Sequence, residues 1–308
     1  MMTMLSSRRR SSESEAGFVI VAVLWLLAAL AVLVTIFSIY LSNSARALAV
    51  NDTALQAQAL VSAGVELTAY QLQLAAKDAR PGQGSFHTRL NNVDLSVSFI
   101  SEAARVDLNA APKELIAGLL TVLGASDEDA KNDADRIIGW RTRATPGKAG
   151  NEDALYRAAG RTYSPRQAPF AHVNELALVL GLSPALVERA LPFVTVFSSA
   201  SGVDVLTAPP EVIAALPGMT PLTLRQFLDD RPTLGNDTAA IAAALGGAAA
   251  SATSQKSNAY RILIRTRFPD HQETASEVVI HLRNEQEPYK VLSWRDDVMV
   301  PRRAAREL

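Results

Sequence analysis

The chain reads as an α+β protein: a long N-terminal helix that crosses a membrane and then lies on an antiparallel sheet, with a large all-helical insertion between early and late strands. Three observations predict this. Residues 18–41 carry no charge, and at ~1.5 Å per residue they give roughly 36 Å of helix, enough for a bilayer core of about 30 Å. Residues 93–99, and later 259–268, 275–283 and 289–294, alternate apolar with polar side chains, as antiparallel strands with one wet face do. Between these two groups the sequence breaks into short helical runs punctuated by proline and glycine.

The apolar run comes first. Its polar groups, Thr35 and Ser38, can bond back to carbonyls one turn earlier, so the backbone of a span needs no water. A buried core helix of this length would keep a polar face, and a secretory signal would be shorter and end in a small-x-small site after the run. Arg8, Arg9 and Arg10 precede the run and only Arg46 follows it closely, which places the N-terminus in the cytoplasm and the residues beyond Leu41 outside. Residues 1–16 are a Ser- and Arg-rich leader with no fold of their own.

The junction carries the most information. A short basic leader ends in Gly17, Phe18 follows, and the apolar run begins there. This resembles the class III signal of type IV pilins and type II secretion pseudopilins. The resemblance implies cleavage by prepilin peptidase between Gly17 and Phe18, with N-methylation at Phe18. Most such subunits carry glutamate at mature position five, where it pairs with the buried amine of a neighbour; here that position is Ala22. Lack of this acid is typical of the pseudopilin K family, general secretion pathway protein K. Without a carboxylate, a buried amine is costly.

Composition narrows the field. Thirty basic residues face thirty-one acidic ones, so no global charge selects nucleic acid or an anionic surface. The absence of cysteine excludes disulfides, thiolate metal sites and cysteine nucleophiles.

Beyond the span the chain stays amphipathic without a breaker until Pro81-Gly82, so one helix is expected from Phe18 to about Lys77, on the order of 90 Å long. Residues 81–84 read as a turn, 93–99 as a half-buried strand and 105–108 as its short partner. Helices are then expected over 113–123, 127–142, 151–159, 173–180, 184–191, 211–216 and 221–229, several with capping signals such as Ser126 and Ser183. Residues 238–258, rich in Ala, Gly and Ser, read as a fraying helix and linker. The expected organisation is a leader (1–17), a transmembrane segment (18–41), a pilin-like helix with first strands (42–110), an inserted helical domain (111–237), a linker (238–258), and the last strands with a tail (259–308).

Within the insertion the stretch 106–119 matches 203–216 at eight of fourteen positions. Each copy has a strand-like start, a proline at the helix start, a glutamate in the favourable first turn and apolar anchors. Such paired segments also resemble a pattern of the pseudopilin K family, so the resemblance covers essentially the whole chain. Leu206 stands in the second copy where the first has Asn109, which leaves turn bonding there open.

No catalytic motif is present. His87, His172, His271 and His281 are dispersed, without zinc-ligand spacing. Asp127, Glu128, Asp129, Asp133 and Asp135, with Asp229-Asp230 and Asp296-Asp297, read as solvated acidic faces and match no EF-hand loop. No enzyme and no cofactor are expected, although family members can bind calcium; no ligand set matches residue by residue. The rival reading is nucleic acid. Residues 178–189 and 216–225 look like helix-hairpin-helix units, as in membrane-anchored DNA receptors of competence systems, but Ser183 and Thr220 replace the second glycine and no cation follows at once. The resemblance otherwise implies a minor pseudopilin of type II secretion. It would be anchored in a Gram-negative inner membrane with its globular part in the periplasm. It would assemble with minor pseudopilins I and J and the major pseudopilin, and meet secreted substrate and the outer-membrane secretin. A minor pilin of a type IV pilus is the other alternative.

Overall fold

The computed structural model of the protein describes residues 13–76, 79–143, 151–253, 257–283, 287–296 and 298, without the side chains of 13–17, 45–53 and 151. Arg8, Arg9 and Arg10, Lys77, residues 254–256, Asp297 and the tail 299–308 lie outside the described residues. The chain divides into Met1–Ala59 and Leu60–Leu308. Helix α1 (Glu13–Leu74) begins in the first unit and ends in the second. Its first four residues belong to the leader stretch that was expected to have no structure; once the apolar run has nucleated a helix, further residues join at little cost. In the first unit, Phe18–Ser44 is long and apolar enough to cross a membrane. Its side chains are uncovered, Phe18 by 76% and Trp25 by 75%. Thr35 donates its hydroxyl to the Ala31 carbonyl at 2.8 Å, the back-bond expected of it.

In the second unit, α1 buries Leu60, Val61, Val65, Ala69 and Leu72, a stripe at helical spacing that faces a sheet. Gly64 lets the two approach: a Cβ there would stand 3.2 Å from Ile264 and 3.4 Å from Val97. The sheet runs in the order β1 (Gln83–Leu90), β2 (Val93–Ser101), β5 (Ala259–Arg267), β6 (Glu273–Leu282), β7 (Tyr289–Arg295). All neighbours are antiparallel. Ile262, Ile264, Val278 and Ile280 are buried on the α1 side, and the late meander lies where the alternation put it.

Two early readings change. β1 takes up half of the expected loop 81–84, from Gln83 onward. It is joined to β2 by Asn91-Asn92 at φ 48° and 67°, with Leu90 opposite Val93, the left-handed pair that a two-residue hairpin needs. Residues 106–107 do not pair with 93–99. They form β3 (Val106–Asp107), which runs parallel to β4 (Val194–Thr195) in a separate two-stranded sheet.

The insertion between β2 and β5 holds α2 (Lys113–Val122), α3 (Asp127–Arg141), α4 (Asn151–Ala158), a 3-10 turn at Val173–Leu178, α5 (Pro184–Ala190), α6 (Pro210–Ala214), α7 (Pro221–Leu234) and α8 (Thr238–Leu245). α7 outruns its expected end at 229 and carries Pro232 inside its last turn, where the missing N–H forgoes one i→i−4 bond. The expected fraying helix is packed, and the part expected as linker is ordered as far as Thr253. α8 continues into a 3-10 turn at Gly246–Ser251, Leu245 and Ala248 are 1% exposed in the core, and Ala252 bridges to Val203. Alanine is a strong helix former with nothing to keep it out of an interior. The insertion has its own core, including Leu115, Ile116, Leu119, Val212, Ile213, Leu216 and Phe227, with Trp140 stacked on Phe170 and tilted against Tyr156.

Candidate functional site

The sequence repeat becomes two similar structural units. In the first, Asp107 Oδ1 accepts from the backbone N–H of Asn109 at 2.7 Å, and in the second Asp204 Oδ1 accepts from that of Leu206 at 3.1 Å. The Ala111 and Ala208 amides each donate back to the carbonyl of that aspartate at 2.8 Å. Turn bonding thus belongs to the aspartate shared by both copies and survives the loss of Asn109's counterpart. Asn109 does something else: it brackets the Phe170 backbone, accepting from its N–H at 2.7 Å and donating to its carbonyl at 3.0 Å.

Each unit then runs proline, short helix, left-handed glycine, hydroxyl cap, longer helix. Gly124 and Gly218 have φ of 97° and 81°, a conformation glycine reaches without strain. The following caps Ser126 and Thr220 each accept from a backbone N–H of the next helix at 3.1 Å. The longer helix returns an arginine to its own turn, Arg141 to the Ala111 carbonyl and Arg231 to the Ala208 carbonyl, both at 2.8 Å. The two units meet at equivalent positions, since a Cβ on Gly118 would overlap the Ala215 carbonyl oxygen. A third hairpin shares the device, with Gly181 at φ 97° and Ser183 accepting from Leu186 at 3.3 Å.

These caps bear on the nucleic-acid reading. A helix-hairpin-helix offers free backbone donors to phosphate. Here the hydroxyls that replace the second glycine, those of Ser183 and Thr220, each already hold one such donor.

The insertion is fastened to the sheet by a charge cluster that sequence reading missed. Glu102, fully buried just after β2, accepts from Arg261 Nε at 2.8 Å and Nη2 at 3.2 Å, and from the Thr195 hydroxyl of β4. Arg261 and Arg295 each reach Glu277 at 2.5 Å. Burial works against the Glu277 carboxylate, but Arg261 and Arg295 outweigh it and hold its pKa below the ordinary glutamate value. Alternation alone placed Arg261 on a wet face; what hides it is the helical domain, which no local pattern reveals.

Other predicted residues are less engaged. Gly17, Phe18 and Ala22 all lie within α1, Phe18 and Ala22 exposed. His87 Nδ1 pairs with Ser96 Oγ at 2.9 Å and His172 Nδ1 accepts from Asn174 N–H at 3.1 Å. The acidic groups are partnered locally, Asp135 by Lys113 at 2.6 Å, Asp129 by Ser126 at 2.7 Å and Asp296 by Ser276 at 2.7 Å and the Trp294 indole N–H at 2.9 Å. Among the described residues no three His, Asp or Glu side chains converge as metal ligands.

A helix that begins as an apolar span and ends on an antiparallel sheet, with a helical domain spliced into that sheet, defines a pilin-like subunit of α+β class. Two family models, both described as type II secretion system (T2SS), protein K, match residues 88–199 and 203–262, together more than half of the chain. The protein belongs to the type II secretion system protein K family. It is 32% identical over 115 residues to the type II secretion system protein K of Pseudomonas aeruginosa strain PAO1, a match that covers 37% of this chain and 34% of that relative's length. The fold is similar to that of a chain in the crystal structure of the GspK-GspI-GspJ complex from the type 2 secretion system of enterotoxigenic Escherichia coli. The TM-score is 0.57 at 16% identity, over 79% of this chain and 95% of that one.

Proposed function

We propose that the chain works as a minor pseudopilin at the tip of a pseudopilus, starting its assembly so that folded proteins leave the periplasm. The observation that carries this reading is the helical insertion of paired units, which makes up most of the residues that the two family models match. Prepilin peptidase removes the leader after Gly17, the apolar helix stays in the inner membrane with its N-terminus cytoplasmic, and the globular part works in the periplasm. The partners are minor pseudopilins I and J, a reading supported by the complex in which the structural neighbour was solved, followed by the major pseudopilin, the secretin and secreted substrate. The role involves no catalytic step. The insertion is bulky beside the five-stranded sheet and obstructs a further subunit above it, which suits a cap.

The test is the N-terminal residue of the membrane-extracted protein, read by mass spectrometry in strains with and without prepilin peptidase. A start at Phe18 that depends on the peptidase is expected. A Met1 or Met2 start in both strains would return the protein to the class of simple membrane anchors.

A further inference from the structure

The two edges of the five-stranded sheet differ. At one, β7 carries Lys290 and Arg295, and the extra residue Leu292 breaks its register with β6 between Val279 and Ile280. A bulge and charged side chains keep a free edge from templating a further strand. At the other, β1 pairs with β2 without interruption from Gln83↔Ile100 to Leu90↔Val93. It has no proline, lysine or bulge, and its one charge, Arg89, is turned to Asp94 at 3.6 Å. The two-residue turn makes Leu90 and Val93 a hydrogen-bonded pair, and the Ser101 N–H, donating to the Gly82 carbonyl at 2.6 Å, keeps that phase at the far end. The amides and carbonyls of Ser85, His87 and Arg89 therefore point away from β2 to the free edge, where no backbone partner meets them among the described residues.

The side of this edge towards α1 is unfinished as well. Opposite the buried Val93, Leu95, Val97 and Phe99 of β2 stand Leu90, Thr88, Phe86 and Gly84 of β1, and these are only half-buried. α1 lies over β2 and β5, which Gly64 approaches through Val97 and Ile264. On its β7 side Glu66 accepts from the Tyr289 hydroxyl at 2.8 Å and Gln73 donates to the Pro288 carbonyl at 2.6 Å. The turn of the helix puts Leu67 and Leu74 on the opposite flank, towards β1, where they are 37% and 70% exposed. A shelf results, with an open row of backbone groups along it and apolar side chains above. We propose that β1 accepts an extended segment of another protein as a sixth, antiparallel strand, whose apolar side chains alternate with polar ones and lie beneath Leu67 and Leu74. An extended backbone presents donors and acceptors at the spacing of Ser85, His87 and Arg89, and the shelf selects apolar residues at every second position. The chain's own last strand, β7, sits at the opposite edge.

The experiment uses the full-length protein in detergent and a fluorescent peptide with the sequence of residues 93–101, the segment that already pairs with β1 from its other side, followed by anisotropy. Two backbone-methylated forms of the peptide keep the same side chains. One is N-methylated at the residues copying Leu95, Val97 and Phe99, whose amides point away from β1 in the proposed pairing, and is expected to bind as the plain peptide does. The other is N-methylated at those copying Asp94, Ser96 and Ser98, whose amides point into the pairing, and is expected to bind at least about tenfold more weakly. Ser85→Pro removes one outward N–H and leaves the bonds to β2 in place, and Leu74→Glu puts a charge on the shelf. Each is expected to weaken the plain peptide about tenfold while the melting temperature without peptide stays that of the parent. Leu74→Glu, at an exposed position, keeps the test valid if proline loosens β1. No binding of the plain peptide, equal binding of the two methylated forms, or equal affinity for the parent and Leu74→Glu would each overturn the inference. A dimer of the parent that Ser85→Pro turns into a monomer without peptide would give the edge to a second copy of this chain and overturn it likewise.

Discussion

A methyl group is enough to disturb the contact between the two repeat units. Gly118 of α2 lies against the Ala215 carbonyl of the second unit, where a Cβ has no room. Gly118→Ala gains about 1 kcal/mol of helix propensity, but backbone cannot swing aside as a side chain can, and the overpacking costs about 1–3 kcal/mol. Net destabilisation by about 1 kcal/mol is expected in denaturant unfolding of the full chain, and a more stable variant would show that the helices separate freely. The paired aspartates permit an internal comparison. Asp107 accepts from Asn109 N–H at 2.7 Å, Ser198 Oγ at 3.0 Å and Ser199 N–H at 2.7 Å, whereas Asp204 serves only its own turn, Leu206 N–H and Thr207 Oγ1. Asp107→Ala should therefore cost about 3 kcal/mol and Asp204→Ala about 1 kcal/mol; equal losses would mean that the bonds to Ser198 and Ser199 contribute nothing. At this scale the sequence was half legible. The repeat marked both aspartates, yet Asn109, being the residue that differed, drew attention to itself, and Glu102 carried no local mark of its buried partnership with Arg261.

Between elements, Glu277, which ties β6 to its neighbours β5 and β7 through Arg261 and Arg295, makes the protein sensitive to acid. Glu277 titrates below its ordinary value because Arg261 and Arg295 outweigh its burial. A lowered carboxylate pKa adds stability that is fully present above the unfolded-state value and is lost as pH falls through the folded one. Thermal unfolding of the full chain should thus move down as pH drops below the ordinary glutamate range, and Glu277→Gln should flatten that part of the curve while lowering stability at neutral pH. An unchanged acid limb would assign the effect to other carboxylates. Arg261→Met is harsher, since it leaves Glu102 buried without its cation, and a loss of about 3–5 kcal/mol is expected. The elements themselves were legible where period and punctuation agreed, as in α1, β2 and the meander β5 to β7. β1 was not: Gly84, Ser85 and Thr88 surround a single Phe86, and its strand identity comes from pairing with β2 and the Asn91-Asn92 turn. Residues 238–258 read as a fraying helix and linker because alanine carries little hydrophobic signal, and only tertiary packing shows Leu245 and Ala248 inside.

For the whole molecule the decisive positions are Gly17 and Ala22: both lie in α1, and Ala22 is exposed. If Gly17 serves the peptidase, a bulky Gly17→Leu substitution leaves the leader attached in a mass spectrum of the membrane fraction, and normal processing would contradict the cleavage assignment. Ala22 tests the place in the assembly. A carboxylate in mature position five neutralises the amine of a neighbouring subunit, and a subunit at the tip has no neighbour above to serve. An added carboxylate there lies within the apolar run without a partner, at a cost that reaches about 2.5–3.5 kcal/mol at the centre of a span and falls towards its ends. Ala22→Glu is therefore expected to weaken membrane retention or secretion modestly, and to leave unfolding of Leu60–Leu308 unchanged, because those residues form a compact unit separate from Met1–Ala59. Melting temperature and secreted protein are measured together on the same variant. Improved secretion would mean that the protein meets a subunit above it and is no cap, while a fall in the melting temperature of the second unit would give Ala22 a structural duty and remove the argument from its identity.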